Sequence, residues 1–106
     1  MTKKFSFPKH KFSAKPTTVD NIRFQSKKES EYYKKLKILQ NTGDIIFFLR
    51  QIPLDLPGNV KYRVDFLEFH KDGTVHFVDV KGFKTQEYLL KKKIVEDLYP
   101  ITIEEK

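Results

Sequence analysis

The 106-residue sequence has no cysteine, which excludes disulfide bonds and thiolate metal sites. It also lacks any apolar run approaching the roughly 20 residues that a membrane-spanning helix needs. The basic N-terminus has no apolar core of the kind that a secretion signal requires, so we expect a cytoplasmic protein that does not engage membranes. No glycine-rich phosphate loop is present, and we therefore expect no nucleotide cofactor.

Acidic residues are few beside the basic ones: 14 Asp and Glu stand against 21 Lys and Arg, giving a formal net charge of +7. Such an excess in a small domain favours a polyanionic partner such as nucleic acid. Solubility alone is the alternative explanation of the charge. The length allows one domain with one hydrophobic core.

Residues 1–20 are predicted to form a basic, partly flexible N-terminal arm, and residues 21–106 the single folded domain. The arm contains five Lys and a single acid, Asp20. It could follow a phosphate backbone, with Phe5, Phe7 and Phe12 docking on a base or on a partner subunit. A solvated tail is the alternative.

Two helices are predicted from their end signals. Ser26 and Glu29 have the spacing of a capping box, and Gly43 is a natural stop for the helix that follows. Its inward face is predicted to carry Glu29, Tyr32, Tyr33, Leu36 and Leu39. Thr85 is predicted to cap a second helix that runs to about residue 98 and is stopped by Pro100.

Strands are predicted at residues 45–49, 62–69, 75–81 and 101–103, where Val, Ile and aromatic residues concentrate. Pro53, Pro57 and Gly58 are expected to break the chain after the first of them. The predicted order is α-β-β-β-α-β, which indicates an α/β fold with a mixed central sheet flanked by helices.

The Lys71-Asp72-Gly73 segment joins the second and third predicted strands, and its length decides which side chains face each other. A two-residue loop would put Asp65 and Asp79 on opposite faces of the sheet. A three-residue loop, with Gly73 in the left-handed conformation, places Asp65 directly opposite Asp79. We expect the three-residue loop.

In that register Asp65 and Asp79 are charges within apolar strands, where neighbouring carboxylates repel each other unless something neutralises them. A divalent cation does so directly, and oxygen ligands suit Mg²⁺ or Mn²⁺. Lys81 projects from the same face and could polarise a water or stabilise a phosphate. The set indicates metal-assisted phosphodiester hydrolysis. The alternative is that the two acids are strand-end residues reaching solvent, with Lys81 as a surface pair.

Several stretches carry a family resemblance: FQSKKESEYY at 24–33, QIP at 51–53, YRVDF at 62–66 and VDVKG at 78–82, with Thr85 and Tyr88 beyond. With these residues the chain resembles the phage endonuclease I-like branch of the PD-(D/E)XK nucleases, which includes Holliday-junction resolvases, over roughly residues 17–104. The resemblance implies a restriction-endonuclease-like core and a Mg²⁺- or Mn²⁺-dependent DNA endonuclease.

The resemblance also implies roles. Asp65 matches the first metal-binding acid, Asp79 the second, Lys81 the signature lysine, and Glu29 an extra acid on the first helix. These four residues are the predicted catalytic set, and the three acids are the predicted metal ligands. Val64 stands where the class name has Pro, at a position that varies within the class.

Two residues keep alternative interpretations. Glu29 can cap its helix through Ser26 or point its carboxylate toward the sheet, and the two roles need not compete. Gln51 matches a recurring Gln of the family. Pairing at the sheet edge and orienting a ligand are both open for it.

Basic residues around the first helix N-terminus and in the second helix are predicted to contact DNA: Arg23, Lys27, Lys28, Lys84, Lys91 and Lys92. An ordinary charged surface is the alternative. The expected substrate is branched DNA such as a Holliday junction, in phage recombination or DNA processing, cut by a homodimer with two sites. A nicking or restriction-like nuclease targeted by a partner, and a non-catalytic DNA-binding accessory protein, are the other candidates.

Overall fold

The computed structural model describes residues 16–106, so the predictions for residues 1–15, including those for Phe5, Phe7 and Phe12, lie outside the described residues. The elements are β1 (Thr17–Val19), β2 (Ile22–Phe24), α1 (Lys27–Thr42), β3 (Ile45–Leu56), β4 (Val60–His70), β5 (Val75–Asp79), α2 (Gln86–Leu98) and β6 (Ile103–Glu105). From α1 onward the order is α-β-β-β-α-β, which confirms the predicted α/β class.

The β1–β2 hairpin was not predicted. Asp20 and Asn21 form its two-residue turn, with φ of 53° and 63°, which are the left-handed values that such hairpin turns require. Phe24 at the end of β2 is buried against Tyr33 of α1. The Tyr33 hydroxyl donates to Asp20 Oδ2 at 3.0 Å. The hairpin is therefore attached to the core by α1.

The main sheet has the order β3-β4-β5-β6, with antiparallel pairs except for the parallel pair β5–β6. It is the mixed sheet that the sequence indicated. The predicted break at Pro53 is wrong, because β3 continues through it to Leu56. As far as the described residues extend, β3 is an edge strand, where a proline without an N–H is tolerated. The third strand ends at Asp79, two residues earlier than predicted.

Both helices begin and pack as expected. Ser26 Oγ accepts the Glu29 N–H at 3.0 Å, and Thr85 Oγ1 accepts the Tyr88 N–H at 3.0 Å. Gly43 ends α1 in the left-handed conformation. Within residues 16–106, neither helix is long and apolar enough to cross a membrane.

Two hydrophobic clusters fill the two sides of the sheet. The cluster under α1 includes Leu36, Phe66 and Val78, and the cluster that includes Val95 of α2 packs against Phe77. Because Phe77 and Val78 are neighbours in one strand, their side chains point to opposite faces. The helices therefore cover opposite faces of β5.

The β4–β5 register is the predicted one. Leu67 pairs with Phe77, and the His70 amide donates to the Thr74 carbonyl at 2.9 Å. Three residues lie between His70 and Thr74, and the last of them, Gly73, has φ of 90°. The three-residue loop and its left-handed glycine are confirmed, and this register brings Asp65 opposite Asp79.

Candidate active site

The candidate site lies where β4 and β5 separate. Their backbone pairing ends at Phe66 and Val78, and beyond this point the two aspartates replace it. Asp79 Oδ1 accepts the backbone N–H of Asp65 at 2.9 Å. Asp65 Oδ2 accepts the backbone N–H of Val80, also at 2.9 Å. Each carboxylate thus accepts a hydrogen bond from a backbone N–H that has no carbonyl partner on the neighbouring strand, because the pairing of β4 with β5 has ended.

The regular alternation of side chains along β4 is interrupted at the same place. Phe66 belongs to the cluster under α1, whereas Val64 belongs to the cluster under α2. Residues two apart in a regular strand share a face, so the strand must twist sharply at Asp65. Across from it, Gln51 of β3 sits between the pairs Arg50–Phe66 and Ile52–Val64 with φ of 54°. A glutamine in this left-handed region is uncommon and strained.

Glu29 reaches the site from the first turn of α1. Its backbone N–H is held by Ser26, while its carboxylate turns toward β3, where Oε2 accepts Gln51 Nε2 at 3.2 Å and lies 4.0 Å from Arg50 Nη2. The same Gln51 Nε2 donates to Asp65 Oδ1 at 3.3 Å. Of the two roles open to Glu29, the carboxylate therefore takes the one that faces the sheet, and Ser26 caps the helix without it.

All three acids are buried: Glu29 is 5% exposed, Asp65 7% and Asp79 0%. Burial, followed by the nearby charge of Asp65, raises the pKa of Glu29 to about 6. Burial likewise raises the pKa of Asp65. The positive charge of Lys81 opposes both increases. The positive charge near the site is thus too small to offset the effect of burial on the pKa values of Glu29 and Asp65.

Lys81 is held at the rim. Its ammonium lies 5.1 Å from the centroid of the Tyr88 ring, a cation–π distance. Its backbone carbonyl accepts Lys28 Nζ at 3.0 Å. The Tyr88 hydroxyl donates to Glu105 Oε2 at 2.9 Å. An aromatic residue of α2 and a basic residue of α1 thus both contact the predicted signature lysine.

The innermost acid is Asp79, which has a second donor in Tyr62. The Tyr62 hydroxyl donates to Asp79 Oδ2, and the two oxygens of Asp79 thereby each hold one protein donor. A carboxylate accepts about four hydrogen bonds or ligands. Asp79 therefore has accepting capacity left, but this capacity is closed off from solvent.

The chemistry of these side chains fits a hard divalent cation only in part. Within residues 16–106, no group of three or more His, Cys, Asp or Glu side chains is arranged to hold a metal ion. Glu29 and Asp65, however, are two carboxylates joined by one amide, with raised pKa values that a cation would lower. Mg²⁺ is commonly held by one or two carboxylates with waters and phosphate. Glu29 and Asp65 therefore suit such an ion as they stand, whereas Asp79 would need Tyr62 or the Asp65 amide to shift.

The basic residues predicted to contact DNA divide into two groups. Arg23, Lys27 and Lys28 are exposed around the N-terminus of α1, and none of the ion pairs within residues 16–106 involves them. The other three are paired with acids of the chain: Lys84 with Glu105 at 3.1 Å, Lys91 with Glu87 at 3.0 Å and Lys92 with Glu96 at 3.5 Å. The group around the N-terminus of α1 is therefore the more available for phosphate.

Sequence reasoning missed the contacts of Gln51, Tyr62 and Arg50 with the acids. Tyr62 lies an odd number of residues before Asp65, and in a regular strand the two would point to opposite faces. No residue pattern signals the change of face between Val64 and Phe66 that overrides this alternation. The family resemblance indicates Gln51 as a recurring residue, and the structure gives it partners in Glu29 and Asp65.

Most of the chain matches the model of a known protein family. The model of the family DUF1064, described as a protein of unknown function, matches residues 9–103, which is most of the chain. No curated protein matches the chain.

Proposed function

The chain belongs to the DUF1064 family, whose function is unknown, and we propose that it is a divalent-metal-dependent DNA endonuclease of the PD-(D/E)XK class. The observation that carries the proposal is the meeting of Glu29, Asp65 and Asp79, three buried acids from α1, β4 and β5, beside Lys81. Burying acids together is costly without a compensating charge. Such clusters are typical of functional sites.

A bound Mg²⁺ or Mn²⁺ would supply Lewis-acid polarisation of a phosphate oxygen and a more acidic water. Glu29 and Asp65 are the side chains that would hold the ion, and Asp79 fixes Asp65 through its backbone amide. Lys81 adds a positive charge at the rim, where it can stabilise a phosphate or orient the attacking water. Tyr88 restricts the position of that charge.

DNA is the proposed substrate because Arg23, Lys27 and Lys28 are exposed cations around the N-terminus of α1, and Lys28 Nζ donates to the Lys81 carbonyl. Cations at a helix N-terminus together with the helix dipole favour phosphate. A branched substrate and a homodimer, with one site for each of two strands, belong to the proposal through the family resemblance and through symmetry.

The test is cleavage of labelled four-way junctions, nicked or flapped duplexes and linear duplex by the full chain with Mg²⁺, Mn²⁺ or EDTA. We expect metal-dependent cutting of the branched substrates ahead of linear duplex. Cutting of linear duplex at one fixed sequence, with junctions ignored, would contradict the branched-DNA version. DNA binding without any cutting in either metal would favour the non-catalytic accessory protein.

A matched pair of variants separates this site from a contaminating nuclease. Asp65→Asn keeps the size of the side chain and removes its charge, and it should abolish cutting. Asp44→Asn changes an exposed acid that binds Lys71 and Thr42 at the end of α1, and it should cut like the wild type. Equal loss in both variants, or in neither, would argue against the proposed site.

A further inference from the structure

Gln51 has a backbone conformation that its surroundings impose. It lies inside β3, with paired residues on both sides, and yet its φ is 54°. Left-handed backbone is disfavoured for residues with a Cβ, and asparagine, aspartate and glycine are the usual exceptions. Strain of this kind persists where the rest of the structure holds it, and it concentrates at functional sites.

The side chain shows what the conformation achieves. Gln51 Nε2 donates to Glu29 Oε2 at 3.2 Å and to Asp65 Oδ1 at 3.3 Å. An amide nitrogen has two N–H groups, and here each of them has one carboxylate. Since carboxylates only accept hydrogen bonds, the amide nitrogen rather than its oxygen must face the acids.

The Gln51 amide lies closer to the carboxylates of Glu29 and Asp65 than any positively charged side chain of residues 16–106 does. Within residues 16–106, the ion pair nearest to them joins Glu29 to Arg50 Nη2 at 4.0 Å, and the Arg50 guanidinium lies over the Phe24 ring at 4.5 Å. The Gln51 amide is thus the group that sits between Glu29 and Asp65 and is shared by both. It presents the positive end of a dipole at the place where two acids converge.

We propose that Gln51 is a positioning residue, which uses its left-handed backbone to hold Glu29 and Asp65 as a pair spaced for one divalent cation. The inference rests on the proposed metal-dependent function and deepens it. Gln51 itself need not touch the cation or the substrate. Its effect is to orient two ligands that come from different elements, α1 and β4, before the ion arrives.

The experiment exploits the strain. Gln51→Gly removes the amide and at the same time favours the left-handed backbone. Asn59→Gly is the matched control. It also places glycine at a left-handed position, with φ of 61° in the β3–β4 turn, but it leaves the Gln51 amide in place. The melting temperature and the Mn²⁺ affinity of the full chain are measured for both variants and the wild type, the affinity by calorimetry without DNA.

Both variants should keep or raise the melting temperature, but only Gln51→Gly should weaken Mn²⁺ binding, by about tenfold or more. If Gln51→Gly binds Mn²⁺ within twofold of a wild type that does bind, the positioning role is overturned. A merely structural role would lower the melting temperature of Gln51→Gly and leave its Mn²⁺ affinity unchanged.

A wild type that binds no Mn²⁺ would instead refute the proposed function. The bridging contact is then decided by NMR on the metal-free chain, from the side-chain amide signals of Gln51 in the wild type and in Glu29→Gln. A shift of these signals in Glu29→Gln supports the bridge. Unchanged signals overturn it, whatever the activity of the protein.

Discussion

The backbone amide of Asp65 donates to the side chain of Asp79, while the side chain of Asp65 accepts the amide of Val80. The two acids therefore continue the sheet by side-chain hydrogen bonds where its backbone pairing stops. Each of them has a structural duty in addition to its proposed chemistry. Variants at these positions have to separate the charge from the hydrogen bond.

Asp79→Asn makes that separation. The amide oxygen can still accept the Asp65 N–H, so the fold should persist, and DNA binding should be kept. We expect cutting to fall by about 10–100-fold, because the negative charge of Asp79 no longer adds to the field that draws a cation to Glu29 and Asp65. Gel-shift and cleavage assays on one substrate measure the two properties together.

The contrasting variant is Asp79→Ala, which also leaves the Asp65 amide and the Tyr62 hydroxyl buried without their acceptor. Asp79→Asn keeps an acceptor for the Asp65 amide but turns its NH2 group toward the Tyr62 hydroxyl, so the two variants differ mainly at the Asp65 amide. The free energy of unfolding of Asp79→Ala should therefore be lower than that of Asp79→Asn by about 1–3 kcal/mol. If Asp79→Asn cuts DNA as fast as the wild type, the assignment of Asp79 to the catalytic site is wrong.

Glu29 gives a prediction about pH and stability. Its pKa of about 6 in the folded chain lies above its ordinary value of 4.5, so the folded state binds more protons than the unfolded state between these pH values. The free energy of unfolding of the metal-free chain should then fall as pH rises through this window. Glu29→Gln should abolish this decrease in the free energy of unfolding and stabilise the chain at pH 7 by about 1–2 kcal/mol. The same variant should reduce cutting.

Urea unfolding in EDTA at pH 4 and pH 7 measures this effect. The matched control is Glu31→Gln on the exposed side of α1, where Glu31 pairs only with Lys34 among the residues of 16–106, and it should change the free energy of unfolding by less than about 0.5 kcal/mol at either pH. A Glu29→Gln chain that is no more stable at pH 7, and that cuts fully, would contradict the assignment of Glu29.

Much of this arrangement could be read from local signals. Ser26 and Gly43 define α1, and Gly73 defines the loop that sets the Asp65–Asp79 register, because each acts through its own backbone or its near neighbours. The contacts of Gln51 could not be predicted, since they depend on a left-handed backbone that glutamine rarely adopts. The long β3 was missed because Pro53 ends a central strand but not an edge strand. The β1–β2 hairpin did have a signal, in the Asp20-Asn21 turn between two strand-forming triplets.

Lys81 should depend on the ring of Tyr88 rather than on its hydroxyl. Tyr88→Phe keeps the aromatic face under the ammonium and should keep cutting within about threefold of the wild type, because Phe also offers a cation–π contact, which contributes about 0.5–1 kcal/mol at a surface. Tyr88→Leu removes the face and should reduce kcat more than DNA affinity. Equal cutting by Tyr88→Leu and Tyr88→Phe would show that the ring does not position Lys81.

The two groups of basic residues should differ in their response to salt. Replacing Arg23 and Lys27 by Ala should weaken DNA binding and reduce the slope of log Kd against log salt by about one for each phosphate that is no longer neutralised. Replacing Lys91 and Lys92 by Ala is the matched control. Because both are held by acids of α2, their removal should change the slope less. A larger change of slope for the Lys91 and Lys92 variant would indicate that DNA binds along α2 instead.

Gly73 tests the register through stability. Nothing lies within 4 Å of a Cβ placed at Gly73 or at Gly82, but only Gly73 of these two has a positive φ, of 90°. Gly73→Ala should therefore lower the free energy of unfolding by about 1–2 kcal/mol through backbone strain alone. Gly82→Ala should be close to neutral. Thermal unfolding of the two variants gives the comparison, and equal effects would contradict the three-residue loop.

The packing of Phe24 has a practical consequence for any attempt to shorten the chain. Phe24 is buried against Tyr33 and carries the Arg50 guanidinium on its ring, and Arg50 approaches Glu29. Deleting the chain up to α1 would leave Arg50 without the surface that orients it beside an acid of the site. Trimming into the hairpin should therefore impair both folding and the site.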